Sequence, residues 1–142
     1  MTPELSKKMF NVFHKVEAIK KDKSNPFFKS YYTDINSILR VVKPILKAEK
    51  LFLSQPIIKN EVITIIIDSD TGDVFPDKPE GLEIQSTKPQ ERGSEITYYR
   101  RYGLQSLLGL EAEDDDANQT VSRQTIKPIK PNTNINTNTF EL

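Results

Sequence analysis

The spacing of apolar residues changes at Leu51, and this change constrains the fold more than any other feature of the sequence. Before Leu51, apolar residues recur every three or four positions, which is the spacing of amphipathic helices. After it come short runs rich in β-branched residues, "LFLSQPII" and "VITIIID", separated by the polar "KNE", a pattern typical of paired strands. Helical spacing returns after "KPQERGSE". This order predicts an α+β domain with an antiparallel sheet.

The first helix is predicted to begin at Thr2, which can cap it, with Pro3 at its first position. The helix should end before Asn25-Pro26, because the residue before a proline is pushed out of the helical region. Steps of four and three predict that one apolar stripe is buried. The stripe consists of Leu5, Met9, Val12, Val16 and Ile19.

A second helix is predicted to start at Thr33-Asp34 and to complete an amino-terminal helix pair. Pro44 lies inside its apolar pattern and should kink or restart it, because proline lacks a backbone donor. The residues predicted to be buried are Ile35, Ile38, Leu39, Val42, Ile45 and Leu46.

The strand region is expected to turn at Asp70-Thr71-Gly72-Asp73. A short strand should follow at Val74 and Phe75, with "LEIQST" as a further candidate. Pro76 and Pro79 favour a sheet edge or a loop in this part of the chain.

The composition excludes several classes of site. Cysteine is absent and His14 is the only histidine, so disulfides, thiolate metal sites and histidine clusters are excluded. No apolar run approaches the roughly 20 residues that span a bilayer, and the amino terminus lacks the apolar core of a secretory signal. The sequence has neither a phosphate-binding glycine loop nor a nucleophile with an evident partner. We therefore expect a soluble, cytoplasmic binding protein that is not an enzyme and needs no cofactor or metal.

The charges are segregated although the net charge is zero. Residues 1–59 hold 12 basic and 5 acidic side chains, a net charge of +7, whereas residues 60–116 hold 5 and 14, a net charge of −9. Such asymmetry suggests a basic surface for a polyanion, although a solvated charged face on the first helices would explain the charge alone. On the polyanion hypothesis, Lys29, Arg40 and Lys43 are candidate contacts.

The segment "ITYYRRYGLQSLLGLEAEDDD", residues 96–116, combines aromatic, basic, apolar and acidic residues. On a helix, its apolar face would carry Ile96, Tyr99, Gly103, Leu107 and Leu110. Its opposite face would carry Tyr98, Arg101, Tyr102 and Gln105.

Arg100 falls on the apolar side of this helix, where an unpaired guanidinium is costly. In one interpretation it pairs with a carboxylate such as Asp68, or its stem lies along the core edge with its head in water. In the other, Arg100 and Arg101 meet phosphates while the tyrosines offer stacking faces.

Two further segments leave alternatives open. In "NPFFKSYY", the aromatic residues could stack on bases, but Phe27 and Phe28 suit a core, which leaves Lys29 and one tyrosine as contacts. The run "EAEDDD" offers carboxylates for a divalent metal, and a nuclease using Asp114, Asp115 and Asp116 is the enzymatic alternative. Without a fixed geometry, we interpret it as a charged terminus of the domain.

Two stretches together resemble the Erf family, the "essential recombination function" single-strand annealing proteins of bacteriophages. They are "NPFFKSYYTDINSILRVVKPILKAEKL" and "GSEITYYRRYGLQSLLGLEAEDDDA". The resemblance covers about Leu5 to Ala117, and its specific part is Thr97, Tyr98, Arg100, Arg101 and Tyr102, followed by leucines and acids. Tyr99 stands where the family usually has a small residue, and the strand region is more divergent.

The resemblance implies an ATP-independent annealing protein that coats single-stranded DNA as a ring or filament of copies and pairs complementary strands. The implied fold is an antiparallel β-hairpin sheet packed on a long helix, similar to the eukaryotic recombination mediators, with DNA in a positively charged groove. The implied partners are single-stranded DNA, further copies of the chain, and a phage exonuclease or a host single-strand-binding protein. A module that protects single-stranded DNA without annealing it is the alternative.

Transfer by motif makes Arg100 and Arg101 the first candidates for phosphate contact. Tyr98 and Tyr102 come next, and Arg92, near the start of the same helix, is a further candidate DNA contact.

We expect residues 1–116 to form the DNA-annealing domain. Residues 117–142 are rich in Asn, Thr, Gln, Lys and Pro, and they carry too few apolar residues to bury, so we expect a disordered tail. Its tip, "TNTFEL", is either a plain end or a docking peptide.

Overall fold

The computed structural model describes residues 1–21 and 34–110. These lie in the first of the two units into which the chain divides, Met1–Leu110 and Glu111–Leu142. The described helices are α1 (Pro3–Lys21), α2 (Ile35–Ala48) and α3 (Pro89–Leu107). The strands are β1 (Leu51–Ser54), β2 (Ile57–Ile58), β3 (Glu61–Val62), β4 (Ile65–Asp68), β5 (Val74–Phe75) and β6 (Leu82–Glu83). All strand pairs are antiparallel, which confirms the predicted α+β class; the predicted tail lies outside the described residues.

Both amino-terminal helices begin where their capping residues predict. The Thr2 hydroxyl accepts the Leu5 backbone N–H at 3.2 Å, and the Asp34 carboxylate accepts the Ser37 N–H at 2.8 Å. These bonds satisfy amide groups that have no partner inside the helix. Of the two predicted effects of Pro44, a kink or a restart, the restart does not occur, because α2 continues through Pro44 to Ala48.

The strands form one long hairpin that is interrupted in its middle. Pairing of Ser54 with Ile65 and of Ile57 with Val62 keeps a single register on both sides of the break. Pro56 lies in the break, where it has no N–H for the ladder. The two-residue loop Lys59-Asn60 has positive φ at both positions, as in the type I′ turns that match strand twist.

The break divides the strands into two small sheets, in the orders β1-β4-β5 and β2-β3-β6. The predicted runs "LFLSQPII" and "VITIIID" therefore each contribute two strands. β5 and β6 lie at sheet edges, which confirms the edge assignment that Pro76 suggested.

One apolar core joins α1, α2, the first sheet and the end of α3. The predicted stripe of α1 is confirmed, because Leu5, Met9, Val12 and Val16 are all buried and Ile19 packs against them. Ile66 of β4 and Leu104 of α3 are fully buried in the same cluster. Burial of this apolar surface is the main favourable contribution to folding.

A buried ion pair fastens α1 to β4. The Lys8 ammonium lies 2.9 Å from the Asp68 carboxylate, whose side chain is fully buried, and 3.0 Å from that of Asp70. The pKa of the Asp68 carboxyl lies below its ordinary value, mainly because the carboxylate accepts a hydrogen bond from Lys8. Asp68 is therefore engaged by α1.

Candidate nucleic-acid interface

α3 is held at its amino-terminal half by a carboxylate clamp. Glu95 accepts the backbone N–H groups of Gln85 and Ser86, each at 2.9 Å, and so joins the helix to the segment after β6. The bond from Ser86 is the first of the influences that lower the pKa of the Glu95 carboxyl, followed by the bond from Gln85. Burial, followed by the interaction with this carboxylate, raises the pKa of the Tyr99 hydroxyl. The clamp fixes the start of α3 on the second sheet.

A second contact fixes the middle of α3 on the interrupted hairpin. The Gln55 amide donates to the Thr64 hydroxyl at 2.9 Å and to the Arg100 carbonyl oxygen at 2.8 Å. The helix also approaches Thr64 closely at Gly103, where an added Cβ would lie 2.5 Å from the Thr64 hydroxyl oxygen. The hairpin break thus positions the part of α3 that carries the residues predicted to contact DNA.

The exposed face of α3 carries an aromatic and basic surface, which we call the α3 surface and define as Tyr98, Arg101 and Tyr102. The two tyrosines are 48% and 50% exposed, and their rings lie 5.9 Å apart and nearly parallel, at 20°. The Arg101 guanidinium carbon lies 5.6 Å from the centre of the Tyr98 ring, within the range of a cation–π contact. The structure therefore brings together three of the predicted site residues.

Arg100 lies apart from this surface. Its side chain is half-buried, as its predicted place on the apolar side implies. An ion pair with Asp68, which was one of the interpretations of Arg100, is not observed, and the Asp68 carboxylate instead accepts a hydrogen bond from Lys8. Within residues 1–21 and 34–110, no carboxylate lies within ion-pair distance of Arg100.

Gln105 and Arg92 also lie apart from the α3 surface. Gln105, predicted on the polar face, is instead 7% exposed, because the last turns of α3 enter the core with Leu104 and Leu108. Arg92 is half-buried and lies roughly 120° around the helix from Tyr98, at about 100° per residue. α3 therefore does not present its three arginines on one face.

The solvent face of α2 carries a second basic feature, the α2 stripe, which we define as Arg40, Lys43 and Lys47. All three side chains are exposed, and α2 contains no acidic residue. A shallow depression of about 430 Å³ is lined by Asn36, Leu39, Arg40, Lys43 and Pro44. Both predicted basic residues of α2 thus line one open surface that is suited to a phosphate backbone.

A narrower cleft of about 180 Å³ separates α3 from the strands. Tyr102 and Glu80 both line it, and none of the residues that line it is basic. The remaining lining residues are Val62, Thr64, Pro76, Leu82, Gly103, Ser106 and Leu107. An acidic wall repels phosphate, so this cleft is not suited to hold the backbone of DNA.

Several predicted features lie outside the described residues, namely Lys29, the neighbouring aromatic residues and the acidic run that ends at Asp116. In the part of the chain that is described, no group of three acidic or histidine side chains is placed to hold a metal ion. In the same part, no helix combines the length and the apolar character needed to cross a bilayer.

Gln55 and Glu95, which both position α3, were not predicted from the sequence. Gln55 donates to the Arg100 carbonyl across 45 positions of sequence, and a glutamine inside a predicted strand gives no signal of such a partner. Glu95 stands inside the quoted motif, but its backbone partners depend on the path of the chain after β6. Only the tertiary structure reveals these contacts.

Comparison with known proteins gives the family of the chain. Neither the curated proteins nor the solved structures yielded a match. The sequence does match the ERF superfamily over residues 5–141, which extends beyond the stretch that the quoted motifs covered. The chain therefore belongs to the ERF superfamily.

Proposed function

We propose that this protein binds single-stranded DNA and pairs complementary strands without ATP, acting as one of several copies along the strand. Recombination and single-strand annealing are the functions of the ERF superfamily at the family level. The observation that carries the proposal is the α3 surface, where two exposed, stacked tyrosines adjoin a guanidinium. In this proposal the protein binds DNA and is not an enzyme. It acts in the bacterial cytoplasm, where the DNA lies.

The α3 surface suits unpaired bases. Every base has a π face, so stacking on an exposed tyrosine contributes about 1–3 kcal/mol without regard to sequence. The contact between Arg101 and Tyr98 holds a positive charge beside the ring, where it can meet the phosphate that follows a stacked base. Double-stranded DNA keeps its bases stacked inside the duplex, so this surface favours single strands.

The α2 stripe supplies a contact that is independent of base identity. Arg40, Lys43 and Lys47 follow one another along the solvent face of a helix whose own residues include no carboxylate. Each phosphate contact releases counterions, so binding should weaken as salt rises. Together with Lys29, Arg92, Arg100 and Arg101, this stripe completes the set of basic side chains that we assign to the DNA.

Annealing follows if the protein holds the backbone and leaves base edges free to test a second strand. Base pairing is itself favourable, so no ATP is required once two strands are brought together. A chain with few basic side chains on each surface gains avidity when several copies bind one strand. We therefore propose a homo-oligomer, as a ring or filament, with a phage exonuclease or a host single-strand-binding protein as further partner.

The test measures the rate at which two complementary labelled oligonucleotides pair. Pairing is followed by fluorescence energy transfer, without ATP and with a chelator of divalent metal ions present. We expect the protein to raise this rate above that of free DNA. A protein that binds both strands but leaves pairing unchanged or slower would instead be a protective module. A parallel reaction with magnesium tests the nuclease alternative, and we expect the oligonucleotides to remain uncut.

A further inference from the structure

The cleft between α3 and the strands adjoins the α3 surface. Tyr102 belongs to both, because it lines the cleft and its ring also stacks on that of Tyr98. From Tyr102 the lining continues along α3 to Gly103 and Ser106. A DNA strand with a base stacked on the α3 surface would therefore lie beside the cleft.

The lining of the cleft combines apolar side chains with hydrogen-bonding groups. Leu82 and Leu107 are among its apolar residues. Its hydrogen-bonding groups include the hydroxyls of Thr64 and Ser106 and the carboxylate of Glu80. Among the residues that the structure describes, no cation lies within ion-pair distance of Glu80. The carboxylate is therefore available to a ligand that donates hydrogen bonds.

The glycine at position 103 keeps one of these polar groups uncovered. A Cβ atom on Gly103 would lie 2.5 Å from the Thr64 hydroxyl oxygen, so a larger residue would cover or displace this hydroxyl. The same oxygen accepts a hydrogen bond from the Gln55 amide, which leaves its own hydrogen to be donated. The cleft thus offers a carboxylate that accepts hydrogen bonds and a hydroxyl that donates one.

We propose that this cleft binds one unstacked base of the single strand and selects a base that carries an exocyclic amino group. Proteins that hold an unstacked base read its edge through hydrogen bonds and cover its faces with apolar or aromatic side chains. The volume of about 180 Å³ is smaller than the roughly 300–1,000 Å³ of sites for drug-sized ligands, so it suits one base. The inference rests on the proposed function for its DNA ligand and deepens that function by naming a base preference.

The carboxylate of Glu80 sets the preference. An ionised carboxylate has no hydrogen to donate, so it pairs with the amino group of cytosine or adenine. Thymine presents the O4 acceptor where cytosine presents its amino donor, and two acceptors repel each other. The negative charge also repels phosphate. The backbone therefore stays outside the cleft, where the α3 surface supplies Arg101.

Binding in the cleft competes with base pairing. The amino group belongs to the edge that pairs with the second strand, so a base held by Glu80 must leave the cleft before it pairs. The cleft therefore binds the unpaired strand in preference to the annealed product. Because each copy holds only one base in this way, the neighbouring bases remain free to test a second strand.

The preference is tested by comparing oligodeoxycytidine with oligothymidine of the same length at neutral pH. Fluorescence anisotropy gives both affinities for the wild-type protein, Glu80→Gln and Glu83→Gln. Glu83 is the control, because it is exposed on β6 but does not line the cleft. The ratio of the two affinities removes the general effect of deleting a negative charge near DNA.

We expect the wild-type protein and Glu83→Gln to prefer oligodeoxycytidine by roughly tenfold, the contribution of a hydrogen bond to a charged group. In Glu80→Gln the preference should be lost, because an amide donates as well as accepts. An affinity ratio that is the same in Glu80→Gln and the wild-type protein would overturn the proposal.

A free nucleoside tests the cleft without the DNA backbone. In a titration followed by amide NMR, 2′-deoxycytidine should shift the signals of Thr64, Leu82 and Ser106 in the wild-type protein more than thymidine does. Lysine amide tests the other occupant that suits Glu80, the ammonium group of a peptide. Shifts at these residues with lysine amide but not with 2′-deoxycytidine would contradict the base site.

These results separate the cleft from the proposed function. If the cytosine preference depends on Glu80 while the wild-type protein fails to accelerate pairing, the cleft binds a base and the annealing function is wrong. If the wild-type protein accelerates pairing while the affinity ratio is independent of Glu80, annealing holds and the base site is wrong.

Discussion

The second and third helices use their residues in opposite ways. α2 buries eight of its 14 residues, whereas α3 buries only two of its 19. The apolar pattern of α2 is sufficient to hold it in the core. α3 depends instead on a few specific contacts, from Gln55, Glu95 and the close approach at Gly103. This difference shows that a motif rich in aromatic and basic residues can contribute mainly to the exposed surface and little to the core.

The largest expected effect on stability lies in α2. Ile38 is fully buried, and Ile38→Ala should lower the free energy of unfolding by about 3 kcal/mol, because it leaves a cavity in the core. Urea denaturation measures this change. Lys47→Ala, on the exposed side of the same helix, should change stability by less than about 0.5 kcal/mol; equal effects from the two variants would contradict the core position of α2.

The α3 surface should show the reverse behaviour. Replacing both Tyr98 and Tyr102 by alanine should weaken binding of oligothymidine by roughly tenfold or more for each ring, because stacking is lost. The unfolding free energy should stay nearly unchanged, since both rings are half-exposed. Fluorescence anisotropy measures the affinity. Phe10→Ala removes a ring from α1 that is still more exposed, and a loss of affinity as large as that of the tyrosine variant would refute specific stacking on α3.

The α2 stripe should contribute through charge alone. Lys43→Gln should reduce the slope of log affinity against log salt by about 0.7, the value for one phosphate contact on a single strand. Lys7→Gln removes a charge that is also exposed, on α1, and should leave the slope unchanged. Titrations at several salt concentrations compare the two variants, and identical slopes would exclude Lys43 from the interface.

The smallest expected effect concerns the clamp at Glu95. Its pKa lies below the unfolded value because it accepts the backbone N–H groups of Ser86 and Gln85, so its ionised form stabilises the fold above about pH 4.3. That contribution is lost as the pH falls through the folded-state pKa. Glu95→Gln should therefore lower the thermal midpoint at pH 7, and it should lower the midpoint by less below pH 4. A difference that stays constant over this range would show that the carboxylate charge is not involved.

The sequence predicts the two amino-terminal helices closely because local rules determine them. The caps at Thr2 and Asp34 and the apolar stripe of α1 act within a few residues of each other. The burial of Gln105 was not predictable from helical spacing, because it arises from how the end of α3 enters the core. The partner of Asp68 was not predictable either, since Lys8 lies 60 positions away.

The candidate site was predicted in part. The exposure of Tyr98 and Tyr102 is confirmed, and so is the place of Arg101 beside them. The roles of these residues in DNA binding, and those of Lys29, Arg40, Lys43, Arg92 and Arg100, stay predictions. The position of α3 depends on the contact that Gln55 makes at the hairpin break, and strand propensity alone does not locate that break.

The most direct test of DNA annealing by the α3 surface is the pairing rate of two complementary oligonucleotides with the wild-type protein, Arg101→Ala and Lys7→Ala. All three proteins are compared without ATP, at a temperature where circular dichroism shows them equally folded. We predict that the wild-type protein and Lys7→Ala accelerate pairing and that Arg101→Ala does not. Equal acceleration by Arg101→Ala and the wild-type protein would contradict the assignment of annealing to the α3 surface.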